Sequence, residues 1–237
     1  MSSNITIITG SCSKYFQYLK KMLNSINKYE IKRIIIYDLG IKNNEMNELN
    51  KIKNKYKNDI IIENFNFENY ADHVDLRKYY GKFCSYAWKP IIINEVCNKY
   101  KGIVFWFDTL TLFDKHIYKL FNILKNETPI YTPTSAGNIR RWTYPTCLKY
   151  IDGEKYLDKK SRAGGCFGVN YDNKIGKILV DKWKKYSLIR ECICPKGSNR
   201  SNHRQDQTIL SIIYYELLEK YEFKVYNNYL GYSIHNY

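Results

Sequence analysis

Short apolar, β-branched runs alternate with stripes of apolar residues at helical spacing through the first third of the chain. Residues 5–9 form such a run and Gly10-Ser11 interrupts it; over 15–26 the apolar positions Tyr15, Tyr18, Leu19, Met22, Leu23 and Ile26 then recur every three to four residues. This spacing predicts strand, turn and helix. Residues 33–37 repeat the strand pattern and stop at Asp38-Leu39-Gly40, and 45–56 carry a thin stripe of Met46, Leu49, Ile52 and Tyr56. Residues 59–63 supply a third apolar run. The result is βαβαβ, and strands this continuously apolar belong in a parallel sheet covered on both faces.

Residues 64–86 are irregular and rich in aromatic and charged side chains, as in a long site-bearing loop or a short helix. Pro90 suits the first position of a helix running to about residue 99. Residues 102–107 are the most apolar short run and end abruptly at Asp108, which predicts a central strand with a carboxylate at its carboxyl end. Further on, the pattern predicts helices over 115–124, 175–186 and 206–220. Strands are expected near 129–132, 166–170 and 223–226, before a Tyr-rich tail. Without an internal repeat or a Pro- or Ser-rich linker, the chain reads as one α/β domain over 1–237, with a nucleotide-binding half (1–108) and a mixed-sheet half (109–237).

Composition narrows the classes. The chain has 237 residues, 44% hydrophobic and 26% charged, a globular balance that excludes collagen-like and wholly disordered readings. No uncharged apolar run approaches the roughly 20 residues a membrane span needs, and the first residues lack the basic and apolar regions of a secretory signal. Seven cysteines, an odd number in a chain too large to need staples, fit reduced thiols and a cytoplasmic location. Cys192 and Cys194 form a C-x-C with no second pair at zinc-finger spacing. The formal charge of +15 would favour polyanions, but Lys, Asn, Ile and 24 tyrosines are also what an AT-rich coding sequence produces. No RNP, KH, zinc-finger or helix-turn-helix pattern accompanies the charge, so nucleic acid is not the expected partner.

In open α/β sheets ligands bind beyond the carboxyl ends of strands, which singles out three places. Thr9-Gly10-Ser11 follows the first strand, where Gly10 permits close backbone approach and the next helix start can meet an anion. Asp38 follows the second and can accept from a base or ribose. Asp108 follows the fourth, where loss of water would call for a metal or a basic partner. Tyr86, Trp88 and Lys89 precede the Pro90 helix, an aromatic there suiting a base and Lys89 a phosphate. Asp206 and Gln207 open a strongly periodic helix, whose dipole favours an ionised carboxylate. Arg140-Arg141-Trp142 and His203-Arg204 are basic groups on predicted loops that could face a diphosphate.

The segments YAWKP (86–90), FWFDT (105–109), AGG (163–165) and DQTIL (206–210), in this order, resemble GT-A glycosyltransferases, most closely the glycogenin and lipopolysaccharide galactosyltransferase type. The resemblance covers most of the chain. It implies a single GT-A-like domain with a Rossmann-like N-terminal half and a mixed central sheet. It matches Asp108 to the first carboxylate of the D-x-D motif, with His235 as a second metal ligand and manganese as the ion. Position 110 is Leu110, so the two-carboxylate clamp is not complete. By the same resemblance Gly164 and Gly165 form the bare turn against the donor sugar, and Asp206 and Gln207 lie beside the transferred sugar.

The expected function is therefore transfer of a sugar from a nucleotide-sugar donor, a UDP-sugar, to a hydroxyl of a saccharide or protein acceptor. Thr9, Gly10 and Asp38 would hold the nucleoside, Lys89 and Asp108 the diphosphate. Two alternatives are a basic nucleic-acid-binding protein and a degenerate domain that binds a sugar nucleotide without turnover.

Overall fold

The computed structural model describes residues 5–79 and 85–234. Among the described residues ten strands are formed: β1 (Ile5–Ser11), β2 (Arg33–Asp38), β3 (Asp59–Asn64), β4 (Ile103–Phe107), β5 (Thr111–Phe113), β6 (Ile130–Tyr131), β7 (Thr134–Asn138), β8 (Lys160–Arg162), β9 (Cys166–Asn170) and β10 (Tyr232–Ile234). The α-helices are α1 (Phe16–Ile26), α2 (Asn43–Lys55), α3 (Trp88–Tyr100), α4 (Ile117–Asn126), α5 (Pro145–Leu148), α6 (Lys174–Ser187), α7 (Arg190–Ile193) and α8 (Gln205–Tyr221). The main sheet runs β3-β2-β1-β4-β9-β6. Its first four strands are parallel, and β9 lies antiparallel to both β4 and β6. The expected α/β architecture with a mixed central sheet is present, and β4 is central.

Alternation along β4 divides the core and aims the site. Phe105 and Phe107 face α1 and α4, whereas Val104 and Trp106 face α3, α6 and α8. Side chains two apart share a face of a strand, so Asp108, two beyond Trp106, continues on the α3 side. Helices α3 and α8 bury most of their circumference, since α3 packs between sheet and α6 and α8 against α6 and β8. An all-round apolar pattern of this kind belongs to a helix with no solvent face.

Several predicted boundaries shift. Strand β1 continues through Gly10 and Ser11, which pair with Tyr37 and Asp38. Helix α3 begins at Trp88, with Pro90 third instead of first; a first-turn residue donates no intrahelical bond, so proline fits there too. Residues 64–79 hold two short 3₁₀ turns, Phe67–Asn69 and Leu76–Tyr79. Residues 223–226 form no strand; the last strand is β10, paired with β5.

The segment that replaces it is held by Arg162. This guanidinium, 1% exposed, donates to the Thr132 carbonyl, to Tyr226 O at 2.7 Å and to Asn227 Oδ1 at 2.8 Å, and lies 4.3 Å from the Tyr214 ring centroid. Tyr131 Oη adds a bond to Asn228 O at 2.8 Å. Among the described residues no helix is long and apolar enough to cross a membrane.

The two-sided core generates a stability prediction. Phe105 is fully buried against Phe107 and Phe121, and the missing Cβ of Gly168 is what admits its ring. Phe105→Ala is expected to lower unfolding free energy by about 3–5 kcal/mol, measured by urea denaturation.

Candidate active site

Lys89 is the second residue of α3 and is 4% exposed. Its Nζ lies 3.1 Å from Asp108 Oδ1, 3.3 Å from Asp206 Oδ2 and 3.2 Å from the carbonyl oxygen of Gly164. Burial alone would discharge this ammonium, but the two facing carboxylates outweigh burial and hold its pKa above the ordinary lysine value. The sequence suggested a phosphate-binding lysine; the structure shows a buried ammonium clamped between two acids.

The two acids differ. Asp108 keeps about 45% of its side chain exposed, so it is not the desolvated group its position after a buried strand suggested. Its Oδ1 accepts from Trp106 Nε1 at 2.7 Å, and its backbone N–H donates to Gly165 O at 2.9 Å, extending the β4–β9 ladder one step. Asp206, the second residue of α8, has a side chain only 7% exposed. Burial pushes its carboxyl pKa up; Lys89 opposes the rise and Asp108 adds to it. The backbone N–H of Gln207 also favours the ionised form of this acid, as expected at a helix start, but burial outweighs it. Its Oδ2 has no hydrogen-bond partner among the described residues, although Lys89 pairs with it electrostatically.

Gly164 and Gly165 join β8 to β9 against these acids. A Cβ on Gly164 would lie 3.2 Å from Asp206 Oδ2 and from Gln207 Cβ, and one on Gly165 would lie 2.9 Å from Asp108 Oδ2. The structure thus brings together Lys89, Asp108, Gly164, Gly165, Asp206 and Gln207. A left-handed residue stands at each helix start, Tyr86 (φ 56°) two residues before α3 and Gln205 (φ 40°) as the first residue of α8. Such non-glycine conformations cost about 1–3 kcal/mol each and concentrate at functional sites.

The strand-end residues have local duties. Asp38 Oδ1 accepts from the backbone of Gly40 (2.8 Å) and Ile41 (2.7 Å), closing the turn. Gly10 makes room for Leu39 and Trp106, which a Cβ would meet at 2.7 and 3.2 Å, so packing requires this glycine. Thr9 is buried, its Oγ1 without a hydrogen-bond partner among the described residues. His235 lies outside the described residues.

A divalent ion needs several hard or nitrogen donors. Among the described residues no three His, Cys, Asp or Glu side chains converge to hold one. The positions two before and two after Asp108 are Trp106 and Leu110, and the cation facing both acids is Lys89. These donors fit an ammonium and do not by themselves fit a metal ion.

Residues 1–94 match a family described only as a protein of unknown function (DUF1647). No curated protein sequence matches the chain. Among solved structures it resembles the WbbM bifunctional glycosyltransferase, at 11% identity and TM-score 0.61, covering 96% of this chain and 39% of that one. Mouse xyloside xylosyltransferase 1 follows at 10% identity and TM-score 0.54, with coverage of 94% and 84%. The galactosyltransferase LgtC, solved with donor and acceptor sugar analogs, is 15% identical with TM-score 0.51, coverage 86% and 69%. The chain has the GT-A glycosyltransferase fold. In this GT-A frame the Lys89 cluster sits where β4, the β8–β9 turn and the start of α8 meet.

Two measurements probe the cluster. Lys89→Met leaves two acids facing each other with no cation and is expected to destabilise the fold by about 3–5 kcal/mol, whereas Asp206→Asn, which leaves Asp108 on the ammonium, should lower the urea midpoint at pH 7 by less. A lower midpoint for Asp206→Asn than for Lys89→Met would contradict the clamp.

His203, foreseen as a basic loop residue, is instead fully buried and neutral. Its Nδ1 accepts from Tyr144 N at 3.2 Å, which leaves Nε2 protonated to donate to Ile193 O at 3.1 Å. Burial lowers its pKa from 6.5 to about 4. The unfolded chain therefore takes up this proton first. Stability from His203 is complete above pH 6.5 and declines as pH falls towards 4, by about 3 kcal/mol in total. His203→Gln should flatten the urea midpoint between those pH values relative to wild type.

Proposed function

We propose that the chain transfers a sugar from a UDP-sugar to an acceptor hydroxyl. The observation that carries this reading is buried Asp206, whose Oδ2, paired with Lys89 at 3.3 Å, also faces the bare Gly164 turn at the carboxyl edge of a GT-A sheet. A buried carboxylate held on one side by an ammonium keeps acceptor capacity for a hydroxyl brought by a ligand, and a turn without side chains suits a sugar ring in contact with the backbone.

In the reaction the anomeric carbon loses its bond to the nucleoside diphosphate and gains one to the acceptor oxygen, whose proton departs. Gly164 and Gly165 admit the donor sugar. Lys89 fixes the orientation of Asp206 and Asp108, so that neither carboxylate must reorganise as charge develops. Asp206, with its raised pKa, either accepts the acceptor proton or stabilises a cationic sugar, and Gln207 flanks the same face. Asp108, half exposed, faces the diphosphate. Thr9, Gly10 and Asp38 lie at the strand ends proposed for the nucleoside. Were manganese to bind, Asp108 and His235 would be its ligands.

UDP-, GDP- and CMP-sugars, each with and without manganese, should be compared by thermal shift. Ligand at one hundred times its Kd adds about 2.7 kcal/mol of stability. A UDP-sugar is expected to raise Tm most. Asp206→Asn should then lower kcat by about a hundredfold or more with little change in UDP affinity. Stabilisation by a UDP-sugar without turnover on any acceptor would favour the degenerate binding domain, and no response to any sugar nucleotide would remove the transferase reading.

A further inference from the structure

Three arginines, without acidic partners among the described residues, gather beside the Lys89 cluster. The indole of Trp142, 7% exposed, is flanked by two guanidinium groups, with Arg141 Cζ 4.5 Å and Arg204 Cζ 4.3 Å from its ring centroid. Trp142 is itself fixed, since its Nε1 donates to Ala136 O at 2.7 Å. Its carbonyl receives the backbone N–H of Arg204 at 3.0 Å. The neighbouring Arg140 makes a two-pronged pair with Asp158 at 3.1 and 3.0 Å. Among the described residues, the guanidiniums of Arg141, Arg200 and Arg204 make no ion pair and no hydrogen bond.

Stacking on an indole offsets part of the cost of holding like charges together, and leaves the in-plane N–H groups of each guanidinium free to meet an oxyanion two at a time. The repulsion is real. Burial, then Arg200 and Arg141, lower the pKa of Arg204. The cluster borders the transfer site: Arg204 stands two residues before Asp206, and Tyr86, whose ring lies 5.6 Å from Lys89 Nζ, also acts on Arg204 electrostatically. The charges acting on Lys89 are Asp108, Asp206 and Tyr86, whereas those acting on Arg204 are Arg200, Arg141 and Tyr86. Tyr86 is thus shared between two charge systems of opposite character, two acids around one ammonium on one side and three guanidiniums on the other.

We propose that Arg141 and Arg204, stacked on Trp142 with Arg200 beside them, bind an oxyanion carried by the acceptor, a phosphate ester or a carboxylate, and so select acidic saccharides. This assignment rests on the transferase reading of the adjacent site. It makes Arg141 and Arg204 specificity residues outside the donor pocket.

Glucose 6-phosphate, glucuronate and glucose should be titrated into protein saturated with UDP, by calorimetry and by tryptophan fluorescence at 50 and 200 mM salt. One or both acidic sugars are expected to saturate, and glucose is not. The stronger of the two identifies the anion as phosphate or carboxylate. Arg141→Gln and Arg204→Gln should each weaken that binding tenfold or more, and leave UDP affinity, measured separately, unchanged. Arg141 is exposed, so its variant tests the site without risk to the fold. Equal binding of all three sugars overturns the proposal. Loss of UDP affinity in the arginine variants also overturns it, since the cluster would then serve the donor diphosphate. If UDP itself does not bind wild-type protein, the transferase reading fails and the acceptor assignment with it. Acid-sugar binding lost in Arg141→Gln would then still establish an anion site.

Discussion

The Lys89 ammonium is almost wholly removed from water, and two carboxylates from distant parts of the chain keep it charged there. An isolated ammonium in such a place would lose its proton or cost several kcal/mol. Satisfying it requires that the end of β4, the first turn of α8 and the β8–β9 turn arrive within about 3 Å of one atom, an N–H···O contact distance. Much of the architecture meets that condition. The parallel strands place Asp108 at the sheet edge, and the antiparallel β9 carries Gly165 directly opposite. Two helices buried on nearly all sides then set Lys89 and Asp206 at their first turns.

Those helix starts are electrostatically unequal. An acid at a helix N-terminus is favoured by the dipole, while a lysine is opposed by it. Lys89 is held against that field by its carboxylates, and Asp206 is disfavoured by burial despite the field. Each charge therefore depends on the other more than on its own helix. The left-handed Tyr86 and Gln205 add backbone strain at the same two points. Such a cluster is rigid because every member is costly alone, which is the condition for binding charge with little reorganisation.

Much of this was legible in the sequence where one local signal sufficed. Apolar runs marked the parallel strands, and the abrupt stop at Asp108 marked the central strand end. The order of the YAWKP, FWFDT, AGG and DQTIL segments pointed to the GT-A fold. The burial of Lys89 was not legible, because a lysine before a proline looks solvated until its partners at 108 and 206 are placed. His203 was misread as basic for the same reason, its neutrality depending on Tyr144 and Ile193. Residues 223–226 look like a strand by side-chain type, yet Tyr226 and Asn227 lend their oxygens to Arg162 instead of to a ladder. The arginine cluster was visible as two basic pairs, but its stacking on one indole required the fold.

Arg162 gives the irregular segment after α8 an unusual standing. A buried guanidinium whose acceptors are mainly backbone carbonyls and an amide, with no carboxylate among them, cannot release those acceptors one at a time without stranding a charge in the interior. The same residue ends β8 just before Ala163 and the paired glycines. Detachment of 226–228 and loosening of the glycine turn are thereby coupled through one side chain, so a segment without regular secondary structure shares the stability of the site's own turn.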